Sequence, residues 1–449
     1  MTKPEPNLSL WRLSWPIGIE LLLQFLMGAV DTMMVSRIGD AAVSAAGLSN
    51  QVLMSGMMAF AVINAGAGVV ISRKWGSMQM ADARKAAILS IQFSLLAGLL
   101  TGFVFYCFAG TILSFLGTPA EVLQYGTGYL TIVGSCTVWT VLLSVMGSII
   151  RSTGNTRGPM YISLGMNLVH VLLNGVLIFG LFGMPEMGLA GAAYSNVISR
   201  ILACLFIAIL AYNCFRGTWR LPEWWSLDRK ILREMLQIGL PVCVTAVSWG
   251  YAQVIVSSLV SRMGADTLAA YTYMQTIQQL PWLITAAIGG AMQIQVGQLH
   301  GALRHAEAHA SVYRAIQAGI GIVAGLSVLL TLGGPWVLGL FTANQEIIRQ
   351  CLPALAVCIV WQPLRLMGYC SSNALNVVGN ANVVAGMTVF GMWVLQAGGT
   401  YVIGSVFGLG LTGVFLAMLA DEIVRMSVFM RKWSTRRTLY AAKGSTSAV

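Results

Sequence analysis

Apolar stretches long enough to cross a lipid bilayer recur along almost the whole chain, and this feature constrains the fold more than any other. The sequence of 449 residues is 57% hydrophobic and only 9% charged, whereas soluble domains carry about 25% charged residues. A bilayer span needs ~20 mostly apolar residues, which predicts an all-α membrane protein with twelve spans. Their approximate ranges are 12–36, 48–72, 86–114, 122–150, 159–180, 188–212, 236–261, 269–297, 311–334, 347–374, 383–405 and 410–431.

The first half of the chain returns in the second half at a constant offset, so that Pro16 corresponds to Pro241 (241 − 16 = 225). Both copies of the first span begin with proline and end in V-S-R-x-G, at Gly39 and at Gly264. Because each copy holds an even number of spans, both enter the membrane in the same direction. This pattern predicts two six-helix bundles that are related by a pseudo-twofold axis along the membrane normal.

The repeat divides the chain into four predicted segments: an N-terminal bundle over 1–213, a cytoplasmic linker over 214–235, a C-terminal bundle over 236–432 and a cytoplasmic tail over 433–449. The linker, the tail and the loops on their side of the membrane hold most of the Lys and Arg residues. Cytoplasmic loops collect these residues, so both chain termini are predicted to be cytoplasmic. The same rule explains the net charge of +11, and no nucleic-acid partner is expected.

The chain lacks the motifs of nucleotide-driven or catalytic membrane proteins. No lysine follows a glycine, so a P-loop is absent, and neither H-E-x-x-H nor G-x-S-x-G occurs. An enzyme is therefore not expected, and no cofactor is expected beyond a coupling ion, H⁺ or Na⁺. A transporter without its own nucleotide site is driven by an ion gradient or by a partner ATPase, and the sequence leaves both open.

One carboxylate, Asp31, lies within the first span, where the second copy has Val256. An acid in hydrocarbon costs ~2.5–3.5 kcal/mol on insertion scales and by default marks a functional site. The fifth span carries Asn167, His170 and Asn174, whose spacing places them on one helical face. We predict that these four residues couple transport to an ion, with Asp31 as the proton carrier and Asn167, His170 and Asn174 modulating it; histidine is the side-chain type whose ordinary pKa lies closest to neutrality. The alternatives are a structural acid and ordinary hydrogen bonding between helices.

Two further polar residues share the helical face of Asp31. Gln24 and Glu20 precede it by seven and eleven residues, which are close to two and three helical turns. We predict that Asp31, Gln24 and Glu20 contact the substrate. Glu20 also lies near the cytoplasmic end of the span, where simple hydration is the alternative.

Polar pairs with salt-bridge spacing occur in the last span of each copy. Asp421 and Arg425 are four residues apart, as are Asn196 and Arg200. A pair that repeats in both halves and satisfies itself along one helix is interpreted as structural. Arg365, in the tenth span, has no evident partner in the sequence.

Two histidines, His305 and His309, have a spacing that suits a metal ion on a helix. They lie in a connection between spans, and the first copy lacks both. We interpret the segment as a solvated loop and predict no metal site.

Several motifs together resemble the multidrug and toxic compound extrusion (MATE) transporters over nearly the whole chain. They are P-x13-VDT-x2-V-x3-G from Pro16, R-S-T-G-N-T-R-G-P-M from Arg151, N-x6-N-x3-IFG from Asn167 and G-L-A-G-A-A from Gly188. The resemblance implies export of small lipophilic cations in exchange for H⁺ or Na⁺, by rocking of two bundles around a central cavity. It also implies a multi-pass protein of the bacterial inner membrane, in contact with lipid, and we expect a monomer.

The chain departs from the family pattern at two places. Many members have Asn where this chain has His170, and a neutral imidazole is a poor ligand for a hard cation, which favours H⁺ over Na⁺. The NorM branch has acids in spans seven and ten, whereas 245–253 and 361–366 hold none, which resembles the DinF branch. The alternative function is a lipid-linked saccharide flippase of the same superfamily, for whose cationic cavity only Arg365 is available.

Overall fold

The computed structural model describes residues 9–215, 223–224 and 227–446, and almost all of these residues are helical. The helices are α1 Leu10–Val35, α2 Asp40–Met57, α3 Ala61–Gly76, α4 Met80–Phe115, α5 Ala120–Ser135, α6 Thr137–Ser152, α7 Arg157–Phe179, α8 Gly188–Cys214, α9 Arg229–Ser261, α10 Ala265–Gly301, α11 His305–Leu332, α12 Gly334–Gly339, α13 Gln345–Val377, α14 Ala381–Phe390 and α15 Gly410–Thr446. After α14 the chain continues as π-helical turns over Gly391–Gly398 and Thr400–Val406.

Eight of the helical segments are long and apolar enough to cross a membrane, or ten if each bent pair, α2 with α3 and α5 with α6, forms one span. The helices α10 and α15, of 37 residues each, are the other two long helices of the described residues. Together these segments correspond to the twelve predicted spans, so the all-α membrane fold is confirmed. Helix α15 continues to Thr446, which makes much of the predicted tail a continuation of the last helix.

The chain divides into two compact units. The first, here called the N-lobe, is Trp15–Gly239, and the second, the C-lobe, contains Leu240–Val449 and Met1–Ser14. Within the predicted linker, residues 216–222, 225 and 226 lie outside the described residues. The segment boundaries drawn from the sequence stay a prediction.

The sequence repeat is also a repeat of backbone geometry. Met78 and Leu303, which are 225 positions apart, adopt left-handed φ values of 61° and 60° although neither is glycine. Such a conformation costs roughly 1–2 kcal/mol for an ordinary residue, so its recurrence reflects two copies of one turn. Gly154 and Gly379 repeat in the same way, with φ values of 96° and 87°. The two lobes therefore share a backbone plan, and their differences lie in the side chains.

Helices α7 and α8 form a tight hairpin that brings their polar faces together. The chain turns at Gly180, whose φ of 68° favours glycine, and α8 begins at Gly188. A Cβ atom on Gly191 would overlap the carbonyl oxygen of Leu177, so a glycine is needed where the first turn of α8 crosses the end of α7. The G-L-A-G-A-A motif thus sets the distance between the two helices.

A buried apolar cluster holds the end of α1 beside this hairpin. Val35 of α1, Ile178 of α7 and Ala193 of α8 are 4%, 0% and 0% exposed and belong to the same cluster. Val35 lies one turn after Asp31, so packing at Val35 fixes the height of that carboxylate against α7. Large apolar side chains on the outside of α4, such as Leu96 and Phe103, are exposed, as expected for a surface that faces lipid.

We predict that Gly191→Ala destabilises the N-lobe, because the added methyl group meets the backbone of α7 rather than a side chain that can move. Overpacking of this kind costs about 1–3 kcal/mol, and the thermal unfolding midpoint of the purified protein in detergent should fall. Gly165→Ala is the matched control, since a Cβ atom there meets nothing within 4 Å and alanine favours the helix. Equal midpoints for the two variants would contradict the close approach.

Candidate functional site

The polar residues of α7 form the centre of the candidate site. Asn167, His170 and Asn174 lie on one face of the helix and are 8%, 5% and 0% exposed. A polar stripe in a membrane helix faces protein or water rather than lipid, and here it faces α1 and α8. The residues whose spacing puts them on one helical face therefore lie on the inner side of the N-lobe.

The carboxylate of Asp31 contacts two members of this stripe. His170 Nε2 lies 2.9 Å from Asp31 Oδ1, and Asn174 Nδ2 donates to the same oxygen at 2.8 Å. Asp31 keeps 34% of its side chain exposed, whereas His170 keeps 7%. The structure thus brings together three of the four predicted ion-coupling residues, and part of the carboxylate remains accessible.

Asn167 does not take part in this contact. Its Nδ2 atom is buried and has no hydrogen-bond partner among the described residues. It lies one turn before His170 on the same face, so its influence on Asp31 would be indirect. Its predicted role in ion coupling stays a prediction.

Two serines of α8, which the sequence reasoning missed, complete the contact. Ser199 Oγ lies 3.2 Å from His170 Nδ1, and Ser195 Oγ donates to Asn174 Oδ1. Each hydroxyl also reaches a carbonyl oxygen of its own helix, Asn196 O at 3.0 Å for Ser199 and Ala192 O at 2.9 Å for Ser195. A spacing of four residues in an apolar helix was the available signal, but serine is equally typical of close helix packing.

Arg200 lies near the site but does not form the predicted pair with Asn196. Its Nη1 atom donates to Thr140 Oγ1 of α6 at 2.7 Å, and the Oδ1 atom of Asn196 is buried with no partner among the described residues. The prediction of a self-satisfied Asn196–Arg200 pair is wrong, because the long arginine side chain extends to the neighbouring helix instead of folding back along α8. Arg200 is close enough to Asp31 for a direct charge interaction.

Glu20 forms an ion pair that the sequence did not predict. Arg151 Nη1 of α6 lies 2.9 Å from Glu20 Oε1, and the two side chains are 21% and 14% exposed. The carboxylate is therefore paired within the N-lobe, which corrects the alternative of a simply hydrated acid, whereas its predicted contact with substrate stays a prediction. Gln24 is exposed on α1, and its role toward substrate stays a prediction.

The C-lobe positions that correspond to Asn196 and Arg200 belong to an ion cluster whose charges pair with one another. Arg425 contacts Asp421 and Glu422, each at 2.9 Å, and these acids are buried to 2% and 6% exposure. A Cβ atom on Gly391 or Gly368 would collide with one of the two carboxylates, so glycines on the neighbouring segments make room for the acids. The predicted Asp421–Arg425 contact is present, and Glu422 joins it.

Arg365, which had no evident partner in the sequence, stacks on aromatic rings. Its guanidinium carbon lies 4.2 Å from the ring centre of Trp282 and 5.1 Å from that of Trp361. Glu422 and Arg425 are within range of charge interaction. The indole faces attract the cation through their quadrupoles, so the partners of Arg365 in the C-lobe are the rings of Trp282 and Trp361.

The two histidines with metal-like spacing are not in a solvated loop, which corrects that interpretation. They begin α11, and His309 is buried, with its ring stacked on Trp433 at a centroid distance of 5.5 Å. Among the described residues no group of three or more His, Cys, Asp or Glu side chains is placed to hold a metal ion.

Comparison with known proteins gives consistent matches along the full chain. The MatE family model matches residues 16–176 and 241–402, once in each repeat. An uncharacterized transporter of Bacillus subtilis, YisQ, is 31% identical over 437 residues, covering 97% of this chain and 96% of that protein. The multidrug export protein MepA of Staphylococcus aureus is 24% identical over 419 residues, covering 91% and 89%.

Solved structures of MATE transporters share the fold. One in an outward-facing conformation, from the MOP superfamily, superposes with a TM-score of 0.86 at 24% identity and covers 96% of both chains. Another, in a bent conformation, gives a TM-score of 0.88 at 24% identity and covers 99% of this chain and 98% of that one. These similarities confirm the predicted architecture of twelve helices in two lobes.

We predict that Glu20 and Arg151 stabilise the N-lobe as a pair. Glu20→Gln or Arg151→Gln alone should lower the thermal unfolding midpoint, because each leaves a partly buried charge without its partner. The double variant should recover part of the loss, with a coupling energy of about 0.5–3 kcal/mol. If Glu20 instead served only the substrate, Glu20→Gln would impair export without lowering the midpoint, and the second substitution would recover nothing.

Proposed function

We propose that this chain, which belongs to the MatE family of transporters, exports lipophilic or cationic compounds in exchange for protons. The family assignment makes it a multi-pass membrane transporter of the multidrug type. The names of relatives such as MepA refer to multidrug export, and the remaining steps concern the driving ion, the substrate and the orientation in the membrane.

The contact between Asp31, His170 and Asn174 is the observation that carries the proposal. It joins a carboxylate and an imidazole, two side-chain types that can each take up and release a proton, at a distance of 2.9 Å. The equivalent positions of the second repeat are Val256, Leu395 and Gly399, which cannot titrate. The coupling ion is therefore proposed to act on the N-lobe, as in the DinF branch that the sequence resembles.

The surroundings of Asp31 favour a proton over Na⁺. A hard cation requires several oxygen ligands, but both groups that meet Asp31 Oδ1 do so through nitrogen. The amide oxygen of Asn174 accepts a hydrogen bond from Ser195, so it is turned away from the carboxylate. Among these contacts of the described residues, the Asp31 carboxylate itself is the one oxygen group left to hold Na⁺.

Coupling requires that proton and substrate prefer different conformations of the transporter. In the deprotonated site, Asp31 is an anion within the N-lobe and attracts a lipophilic cation. Proton uptake cancels that charge, weakens the attraction and favours the state that releases the substrate outward. Since Asp31 belongs to α1 and its partners to α7 and α8, the proton acts where these helices meet.

The location and assembly follow from the same proposal. The bacterial relatives and the Lys- and Arg-rich connections are consistent with the plasma membrane and with both termini in the cytoplasm. A monomer suffices, because both lobes belong to one chain. Lipid is the surrounding solvent, small lipophilic cations are the substrates, and no cofactor other than the coupling ion is needed.

The flippase alternative rests on Arg365. The contacts of this side chain favour an exporter over a flippase. A cavity for a lipid-linked pyrophosphate needs free cations, whereas this guanidinium stacks on Trp282 and lies within charge range of Glu422. Binding of a lipid pyrophosphate by the purified protein, without binding of lipophilic cations, would favour the flippase.

We predict that Asp31→Asn abolishes proton-coupled export, because asparagine keeps the size of the side chain but carries neither a charge nor a group that titrates near neutral pH. The measurement is efflux of a fluorescent lipophilic cation from proteoliposomes under an imposed pH gradient, repeated with a Na⁺ gradient. Asp40→Asn, an exposed acid at the start of α2, is the matched control and should retain export. Full ΔpH-driven export by Asp31→Asn would end the proposal.

A further inference from the structure

We propose that the imidazole of His170 holds the transported proton at Nδ1, while Asp31 stays ionised as its counter-ion and the Ser199 hydroxyl reverses its hydrogen bond. This inference deepens the proposed function and rests on it. The proposed function requires only that the Asp31 site exchanges a proton, whereas the inference names the atom that receives it and a residue that positions it.

The first step concerns the nitrogen that faces Asp31. His170 Nε2 lies 2.9 Å from Asp31 Oδ1, and Asn174 Nδ2 donates to that oxygen at 2.8 Å. A carboxylate that accepts two such bonds is stabilised as the anion, and an anion is best met by an N–H group. Nε2 therefore keeps its hydrogen, and the lone pair that remains available in the neutral ring is the one at Nδ1.

The second step concerns Ser199, which is the group at Nδ1. Its Oγ atom lies 3.2 Å from His170 Nδ1 and 3.0 Å from the carbonyl oxygen of Asn196. A hydroxyl has one hydrogen and two lone pairs. Against the neutral ring, Ser199 donates to Nδ1. Once a proton forms an N–H bond at Nδ1, that group donates to Oγ, and the hydroxyl hydrogen turns to the carbonyl of Asn196.

Both protonation states are thus fully hydrogen-bonded with the ring in one place. The only bond that forms is Nδ1–H, and the proton comes from water and returns to water on the other side of the membrane. A ring that is 5% exposed would otherwise leave a buried donor or acceptor unpaired in one of the two states, which is costly in hydrocarbon. The rotating hydroxyl removes that cost from the cycle.

The other charged and titratable groups around the pair support an ionised Asp31. Arg200 of α8, a permanent cation, lies within charge range of Asp31, and so does Tyr129 of α5. Arg200 also donates to Thr140 of α6. Glu20, the other acid of α1, is paired with Arg151. A cation near the carboxylate favours its anionic form, which is the counter-ion that the proposal requires.

The direct test is the protonation of the His170 ring. The chain has four histidines, so ¹⁵N-histidine labelling of the full-length protein in lipid nanodiscs gives few ring signals, and His170→Gln identifies those of His170. We expect one ring N–H at high pH, at Nε2, and ring N–H groups at both nitrogens in the pH range that drives export. A ring that stays singly protonated throughout that range would overturn the proposal.

Ser199 is tested through the pH profile of export. In Ser199→Ala both forms of the ring lose a partner at Nδ1, but the charged form loses the stronger hydrogen bond. A higher proton concentration is then needed to protonate the ring, and the pH profile of export should move by about one pH unit to lower pH. Ser199→Thr keeps the hydroxyl and should restore the profile. Ser163→Ala, which removes another buried hydroxyl of the N-lobe that has no partner among the described residues, should leave the profile in place.

The outcomes separate the inference from the proposed function. If Asp31→Asn retains proton coupling, the proposed function itself fails. If Asp31→Asn abolishes coupling but His170→Gln retains it, Asp31 alone carries the proton and the inference fails. An unchanged pH profile in Ser199→Ala removes the role of Ser199. Loss of coupling in His170→Gln, together with the shifted profile of Ser199→Ala, is the result we expect.

Discussion

The N-lobe depends on the need of one carboxylate for hydrogen-bond donors. Asp31 lies within a helix whose surroundings are apolar, where an unpaired charge is costly. The donors come from α7, and α7 is in turn held to α8 by Ser195 and Ser199. A chain of hydrogen bonds thus connects three helices, and it ends at the carboxylate of Asp31. Because buried hydrogen-bond chains polarise one another, a change at that end is felt along the chain.

The two lobes use one backbone for two different electrostatic purposes. Asn196 and Arg200 of the N-lobe correspond to Asp421 and Arg425 of the C-lobe (421 − 196 = 225 and 425 − 200 = 225). In the C-lobe, Asp421 forms an ion pair with Arg425 at 2.9 Å. In the N-lobe an asparagine stands in its place, and the arginine turns to Thr140 and stays within charge range of Asp31. In the C-lobe the acids of the cluster pair with its own arginine, whereas in the N-lobe the carboxylate of Asp31 contacts the imidazole of His170.

The sequence predicted what depends on periodicity and missed what depends on partners from distant helices. Hydropathy located the spans, and the spacing of His170 and Asn174 placed them on the face that meets Asp31. The Glu20–Arg151 ion pair was not predictable, because its members are 131 residues apart and no local pattern joins them. The spacing of Asn196 and Arg200 was right for a pair, but spacing cannot say which acceptor a long side chain reaches. Tertiary contacts decided each of these cases.

In the proposed cycle, the charges around the site suit an exchange of one cation for one proton. Without the extra proton, Asp31 carries one negative charge and Arg200, nearby, one positive charge. Binding of a monovalent cation and binding of a proton at His170 then add the same charge to the same region. The exchange therefore leaves the local charge the same whichever of the two is bound. In the proposed cycle the imidazole takes up the proton, and the ionised carboxylate of Asp31 is its counter-ion. A single acid could not fill both roles, because it loses its charge when it takes up a proton.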